Sequence, residues 1–259
     1  MQRIGDLAVP TQVEGLDVRV RWECADHPGA SGAVHLRDGA AKPFARGGAD
    51  VVVRGTLRQL LRLVAGQLDV AVAHLGDQLG IEGDGRAALA LAALFAADGT
   101  APVTGTPVDP RDIAPLDIST ALVGVTADHL RSVMASDIRD VILDEIFARM
   151  PDHVNGRKAA GARITVGFRL TGRPDGEVDR YVLRLSDGQA TVLAGEAADS
   201  VDRDDRDATV TCDAHDFLRL VTGHLSVVSG VLRGQLRVRG DKAAALRLNA
   251  AFDIPSAVA

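Results

Sequence analysis

The chain has 259 residues, of which 46% are hydrophobic, 25% charged and only 3% aromatic. That composition is typical of a globular protein, and the length allows one large domain or two ordinary ones. The few aromatic side chains and the formal net charge of −6 argue against a nucleic-acid partner, because nucleic-acid surfaces combine stacking platforms with excess positive charge.

The amino-terminal residues include no long apolar segment of the kind that forms a secretory signal. The two cysteines, Cys24 and Cys212, lie far apart and form no metal-ligand spacing, so we expect buried thiols in a reducing compartment. The longest uncharged stretches, 87–97 and 220–232, are shorter than the roughly 20 apolar residues of a membrane-spanning helix. We therefore expect a cytoplasmic protein.

Strands followed by helices are predicted in the first part of the chain. Alternating apolar residues at Val18, Val20 and Trp22 predict a strand, and Asp38-Gly39 between apolar runs predicts a hairpin turn. A further alternating run over 50–53 precedes residues with helical apolar spacing. Helices are expected at 57–68, 70–75 and 84–95, and a strand at 79–81.

A linker and a long helix are predicted next. Residues 98–117 are rich in Pro, Gly and Thr, and we extend this linker to residue 126. A helix follows within 127–150, with a fresh start or kink at Ser136-Asp137, and Pro151 ends it. Its expected apolar stripe consists of Leu130, Val133, Met134, Ile138, Val141, Ile142, Ile146 and Met150.

The rest of the chain repeats the first part. Residues 50–95 align without a gap onto 207–252, and 20 of the 46 aligned positions are identical. The offset of 157 residues far exceeds a solenoid unit, so the repeat predicts two domains. We place these domains at 1–97 and 127–259, joined by the linker 98–126.

Three segments of the second copy, YVLRLSDGQATVLAG, DATVTCDAHDFLRLVTGHLS and GQLRVRGDKAAALRLNAAF, resemble the sterol carrier protein type-2 domain family. The preceding IRDVILDEIFARMP is similar to the lead helix of bacterial members. The first copy matches the pattern best over 50–95 and lacks the lead helix. It is therefore interpreted as a degenerate copy.

The resemblance implies an α+β fold of two tandem sterol-carrier-type domains. Each is a roughly five-stranded, mostly antiparallel sheet covered by helices, with a possible apolar tunnel. Family members bind sterols, fatty acids, acyl-CoAs and other lipids, and some relatives are appended to enzymes. We therefore expect a non-catalytic lipid carrier, without a cofactor, that holds an apolar ligand in the tunnel of the second copy.

An alternative function remains open at this point. The paired domains would then bind no lipid and would scaffold an oligomer, such as a homodimer, or assist an enzyme. The sequence also leaves open the identity of the ligand and whether residues 118–127 cover the first copy in place of its missing lead helix.

Apolar residues of the second copy are the candidate tunnel lining. They are Phe217, Leu218, Val221, Leu225, Val227, Val228, Val231, Leu232 and Phe252. The pattern by itself favours side chains that simply pack a core. The resemblance implies that about half of them touch a cavity.

Three arginines, Arg233, Arg237 and Arg239, are candidate contacts for an anionic head group or for transient binding to a membrane surface. The simpler interpretation is a solvated charged face, which is the usual role of a charge run. Their counterparts in the first copy are Gly76, Gly80 and Glu82.

Two polar groups are not expected to bind metal or to catalyse a reaction. The acidic loop 197–207 lacks the glycine of a calcium loop, so we expect a flexible, solvated loop. Asp213, His215, Asp216 and His224 match no ligand spacing, and we expect Asp213 to cap a helix and the histidines to lie on its polar side. No spacing joins a nucleophile, a base and an oxyanion hole, so no catalytic residue is assigned.

Overall fold

A computed structural model describes residues 17–38, 40–45, 47–64, 68–94 and 114–254. By its contacts the chain divides into two compact units, Met1–Val125 with Ser136–Val141 and Thr126–Ala135 with Ile142–Ala259. Each unit contains one five-stranded sheet.

The first sheet is built from strands with alternating burial. Its strands are β1 (Asp17–Cys24), β2 (Gly32–Arg37), β3 (Ala40–Pro43), β4 (Val51–Gly55) and β5 (Gly80–Gly83). The spatial order is β3-β2-β1-β4-β5, and only the β1–β4 pair is parallel. Val18, Val20 and Trp22 point into the core as predicted, because successive side chains of a strand face opposite sides.

Helices α1 (Leu57–Val64), α2 (Val70–Leu75) and α3 (Gly85–Leu94) cover this sheet. A capping box begins α1, since the Thr56 N–H donates to Gln59 Oε1 at 2.7 Å and the Gln59 N–H donates to Thr56 Oγ1 at 3.3 Å. A later helix, α4 (Pro115–Ala121), packs against α2. Part of the expected linker is therefore a helix that covers the first unit.

The second sheet repeats the topology of the first. Its strands are β6 (Arg163–Thr171), β7 (Asp179–Ser186), β8 (Gln189–Ala194), β9 (Ala208–Asp213) and β10 (Leu236–Gly240). They lie in the order β10-β9-β6-β7-β8, with only β6 and β9 parallel. The predicted α+β fold with two mostly antiparallel five-stranded sheets is confirmed.

Within residues 127–254, six further α-helices are present. They are α5 (Ala127–Val133), α6 (Ile138–Arg149), α7 (Gly195–Asp199), α8 (Ala214–Val221), α9 (Val227–Leu232) and α10 (Lys242–Ala250). The predicted break at Ser136-Asp137 separates α5 from α6. Beyond that break Ile138 is buried as predicted, but the rest of the predicted stripe is wrong. Leu143 and Phe147 are buried there, whereas Ile142 and Ile146 are partly exposed.

One backbone feature accounts for the Gly-Asp pair that both copies share. Gly83 and Gly240 have φ angles of +94° and +85°. A Cβ at these positions would lie 2.1 Å from the Asp50 carbonyl oxygen and 2.4 Å from that of Asp207. Only glycine fits this turn, because it lacks a Cβ and tolerates positive φ.

The acidic loop is packed against the second sheet. Ala198 and Val201 are buried against Val182. The Arg206 side chain donates to the carbonyl oxygens of Ala198 at 3.1 Å and Val201 at 2.6 Å. The expectation of a flexible, solvated loop is therefore wrong for this part of the loop, because two apolar residues among the acids anchor it.

Candidate functional site

Two consecutive helices, α8 and α9, carry most of the candidate lining residues. Asp213 caps α8 by accepting the His215 N–H at 3.2 Å, and Ser226 caps α9 by accepting the Ser229 N–H at 3.1 Å. The first cap lies where β9 ends, and the second follows the turn between α8 and α9. Together they fix where each helix begins and therefore which of its sides faces the sheet.

The lining residues fall into a buried group and an exposed group. The buried group is Phe217, Leu218, Leu225 and Phe252, each at most 9% exposed. Val221 and Val227 are partly exposed. The exposed group lies on α9 and consists of Val228 (61% exposed), Val231 (39%) and Leu232 (82%).

The equivalent helix of the first unit is covered where α9 is exposed. The counterpart of Leu232 is Leu75, which is 4% exposed at the end of α2. Helix α4 packs against α2, and an added Cβ at Gly76 would come within 3.2 Å of the Ala121 carbonyl oxygen. The second unit therefore presents an apolar helix surface that the first unit buries.

Helix α8 is buried where its counterpart in the first unit, α1, is exposed. Helix α5 packs against α8, and Leu218 is 1% exposed. Its counterpart Leu61 on α1 is 60% exposed. Helix α5, which forms the first part of the helix predicted within 127–150, therefore accounts for the burial of Leu218 on α8.

Four aromatic rings fill the core beside α8. The Phe147 ring stacks on Tyr181 at a centroid distance of 3.7 Å and on Phe217 at 5.0 Å. Phe168 meets Phe147 and Phe217 edge-on at 5.7 Å and 5.6 Å. Although only 3% of the chain is aromatic, half of its eight aromatic residues therefore pack together in this core.

The polar residues of α8 form a buried cluster. His215 Nδ1 lies 2.7 Å from Asp213 Oδ1, and His215 Nε2 lies 3.6 Å from Asp216 Oδ1. The Gln235 side-chain amide donates to Asp216 Oδ1 at 2.7 Å, and Arg219 Nη1 lies 3.5 Å from the same oxygen. His215, which was expected on the polar side of the helix, is buried, and the carboxylates of Asp213 and Asp216 lie beside it and compensate that burial. Among the described residues, no group of three or more His, Cys, Asp or Glu side chains is placed to hold a metal ion.

This cluster predicts the reactivity of the neighbouring cysteine. Burial, together with the nearby charges of Asp216 and Asp213, raises the pKa of the Cys212 thiol to about 12. The nucleophilic thiolate is therefore scarce at pH 8. We expect iodoacetamide to leave Cys212 unlabelled in the native protein and to label it fully in urea, as measured by peptide mass spectrometry. Rapid labelling of the native protein would contradict this placement.

The three candidate head-group arginines are exposed in the second unit. Arg233 follows the last residue of α9, whereas Arg237 and Arg239 lie on β10 at the edge of the sheet. The described residues provide no ion-pair partner for any of the three. Their charge is therefore available to a ligand.

Comparison with known families separates the two copies. Residues 2–96 match the model of the SCP-2 sterol transfer family. The chain contains a sterol carrier protein-2 type domain. Residues 131–257 match a different model, described as the alkyl sulfatase C-terminal family. The SCP-2 match therefore falls on the copy that the sequence pattern marked as degenerate.

Several solved structures resemble the chain. One is the sterol carrier protein domain 2 of Helicoverpa armigera, at 19% identity and a TM-score of 0.34, with 41% of this chain and 80% of that chain covered. Another is sterol carrier protein-2 like-3 from Aedes aegypti, at 24% identity and a TM-score of 0.33, covering 43% and 92%.

An enzyme is also among the similar structures. It is the inverting sec-alkylsulfatase Pisa1 from a Pseudomonas species, at 16% identity and a TM-score of 0.38. The match covers 75% of this chain but only 31% of the sulfatase. No curated protein matches the sequence.

The sterol carrier protein-2 type domain and the second unit share their sheet topology but differ in what covers them. Helix α4 covers the first, and α5 covers the second. None of the helices in the described part of the chain is long and apolar enough to cross a membrane.

Proposed function

We propose that this protein is a non-catalytic lipid carrier that holds a sterol, a fatty acid or an acyl-CoA in an apolar tunnel of its second unit. The proposed domains are 1–97 and 127–259 with a linker over 98–126, and the proposed location is the cytoplasm. In this proposal the first unit is a partner domain rather than the ligand site.

The observation that carries the proposal is the apolar path along α8 and α9. This path comprises the buried Phe217, Leu218 and Leu225 and the exposed Val228 and Leu232. A carrier needs both a dry interior and an apolar entrance through which a chain can pass. The covered α2 offers no such entrance in the first unit.

The chemistry of the path suits an aliphatic ligand. Transfer of a lipid chain from water releases about 0.8 kcal/mol for each buried methylene group, so few polar contacts are needed. Because the Phe217 ring is held in the aromatic stack, we assign it to the closed end of the tunnel. Leu218, Val221 and Leu225 would then contact the chain.

Native mass spectrometry of the purified full-length protein, followed by lipid extraction, tests this function. We expect a co-purified apolar molecule whose mass is lost under denaturing conditions. The extracted protein should take up a fluorescent fatty-acid or sterol probe at micromolar concentration. A protein that carries nothing and binds neither probe would contradict the proposal.

A second candidate function rests on the match of residues 131–257 to a family named for the C-terminal part of an enzyme. The second unit would then be an interaction module that assists an enzyme or forms a homodimer, and the exposed face of α9 would be its contact. This candidate predicts no co-purified lipid and an oligomer or a complex in solution.

A further inference from the structure

The outward face of the first sheet carries a balanced charge network. The Arg54 guanidinium on β4 bonds Glu23 on β1, with 2.6 Å between Arg54 Nε and Glu23 Oε2. It also donates to Glu82 on β5. Hydrogen bonds to Glu82 and Glu23 raise the pKa of Arg54. One cation thus bridges two anions across three neighbouring strands.

The same positions of the second sheet carry the reverse charge. Thr211 on β9 is the counterpart of Arg54, and it pairs with Arg169 on the parallel strand β6 just as Arg54 pairs with Glu23. Arg239 replaces Glu82 on the edge strand. Arg237, which replaces Gly80, lies directly opposite Thr211. Two glutamates and one arginine of the first sheet thus correspond to three arginines and one threonine in the second sheet.

Strand register brings these groups onto one surface. Leu236, Leu170 and Cys212 point into the core, so their neighbours Arg237, Arg169 and Thr211 point outward. Directly opposed Cα atoms of neighbouring strands lie about 5 Å apart. Arg237 and Arg169 therefore flank the Thr211 hydroxyl from either side at a Cα separation of about 10 Å.

The charged groups around this surface do not neutralise it. Arg180 lies opposite Arg169 on β7 and is 3.7 Å from Asp199. Asp213 continues the same face of β9, but it caps α8 and contacts His215 at 2.7 Å. The Arg206 guanidinium also reaches this face, near Gly167, and bonds carbonyl oxygens. Among the described residues no carboxylate pairs with Arg169, Arg237 or Arg239.

We propose that Arg169, Thr211, Arg237 and Arg239 form a binding site for the tetrahedral oxyanion of a phosphate or sulfate group. Arg169 and Arg237 flank the Thr211 position without a carboxylate between them, so an anion bound there offsets the repulsion between two like charges. The guanidinium groups of Arg169 and Arg237 flank Thr211 from two sides. Each can donate two parallel hydrogen bonds, so together they suit an anion with three or more acceptor oxygens. A planar carboxylate would need only one fork.

The anion has two possible sources, a soluble phosphate or sulfate ester and the head group of an anionic lipid. The test uses the full-length protein at low salt. One arm titrates inorganic phosphate and sulfate and follows the backbone amide resonance of Thr211. The other arm measures co-sedimentation with phosphatidylglycerol vesicles, with phosphatidylcholine vesicles as the neutral reference.

The key variant is R169Q/R237Q, and R157Q/R203Q is the matched control because it removes two exposed arginines that are not among the four proposed site residues. We expect R169Q/R237Q to weaken anion binding by about tenfold or more, as is usual for the loss of hydrogen bonds between charged groups. The control should bind like the wild type. A second variant, R169E/T211R/R239E, rebuilds the network of the first sheet and should fold while binding no anion.

Each outcome decides the proposal. Binding of the inorganic anions that both site variants lose supports a site for soluble esters. Binding only to phosphatidylglycerol vesicles, with the same losses, supports a head-group site. No binding in either arm, or equal losses in the control, would overturn the site. The lipid-carrier function is independent of this result, because the outward sheet face is separate from the core-facing residues of α8.

Discussion

Replacement of Phe217 by alanine should destabilise the second unit by about 3–5 kcal/mol, the usual cost of truncating a buried phenylalanine. Phe217 is fully buried, stacks on Phe147 at 5.0 Å and meets Phe168 edge-on at 5.6 Å. The variant would leave a cavity bounded by two rings that have little freedom to collapse. Urea unfolding followed by circular dichroism measures the loss.

The chain itself offers the control for this prediction. Leu60 is the counterpart of Phe217 in the first unit, where it is 4% exposed. Phe217→Leu keeps most of the side-chain volume and should therefore cost clearly less than Phe217→Ala. Because the single tryptophan, Trp22, lies in the first core, its fluorescence shows whether that unit is affected. A loss below about 1 kcal/mol for Phe217→Ala would contradict the central position of the stack.

Aspartate at both Val228 and Leu232 should weaken uptake of a fluorescent fatty acid by about tenfold or more. The proposed entrance would then contain two charges that must lose water before an apolar chain can pass. Because Val228 is 61% and Leu232 82% exposed, the free energy of unfolding should change by less than about 1 kcal/mol. Probe binding and urea unfolding of the same preparation separate the two effects.

Leu61→Asp is the matched control for this double variant. Leu61 is an apolar residue of the first unit with a similar exposure of 60%. If the entrance lies on α9, Leu61→Asp should take up the probe like the wild type. If Leu61→Asp loses uptake and the α9 variant keeps it, the ligand lies in the first unit and the assignment of the two copies is reversed.

Local sequence signals predicted much of the fold. The capping residue Asp213, the alternation of Val18, Val20 and Trp22, and the break before Ile138 each correspond to a feature of the structure. Short-range patterns specify these features because the residues concerned contact their own neighbours in the chain. Because the two copies align, the elements predicted for one copy could be assigned to the matching residues of the other.

The missed features depend on contacts between distant residues. The stripe of α6 was misplaced because its phase restarts after the break at Ser136-Asp137, so counting through the break selected Ile146 instead of Phe147. The aromatic stack joins Phe147, Phe168, Tyr181 and Phe217 from four elements, and no spacing in the sequence reveals it.

The candidate site was predictable only in outline. The apolar stripe of α8 and α9 was found from its spacing, but the same pattern gave a buried Leu218 and an exposed Leu232. Which side chain is exposed depends on whether α4 or α5 covers the helix concerned. The partner of Arg237 in the anion site was also hidden, because Arg169 joins it only through the strand register.

The most direct measurement of the central claim is photo-crosslinking of the full-length protein with a diazirine fatty acid, followed by peptide mapping. The account predicts crosslinks within 217–232, at Leu218, Val221 or Leu225 and at the exposed residues of α9, and their loss when unlabelled fatty acid competes. Crosslinks that map instead to 57–94 in the first unit, or that competitor does not reduce, would contradict a lipid carrier whose ligand lies in the second unit.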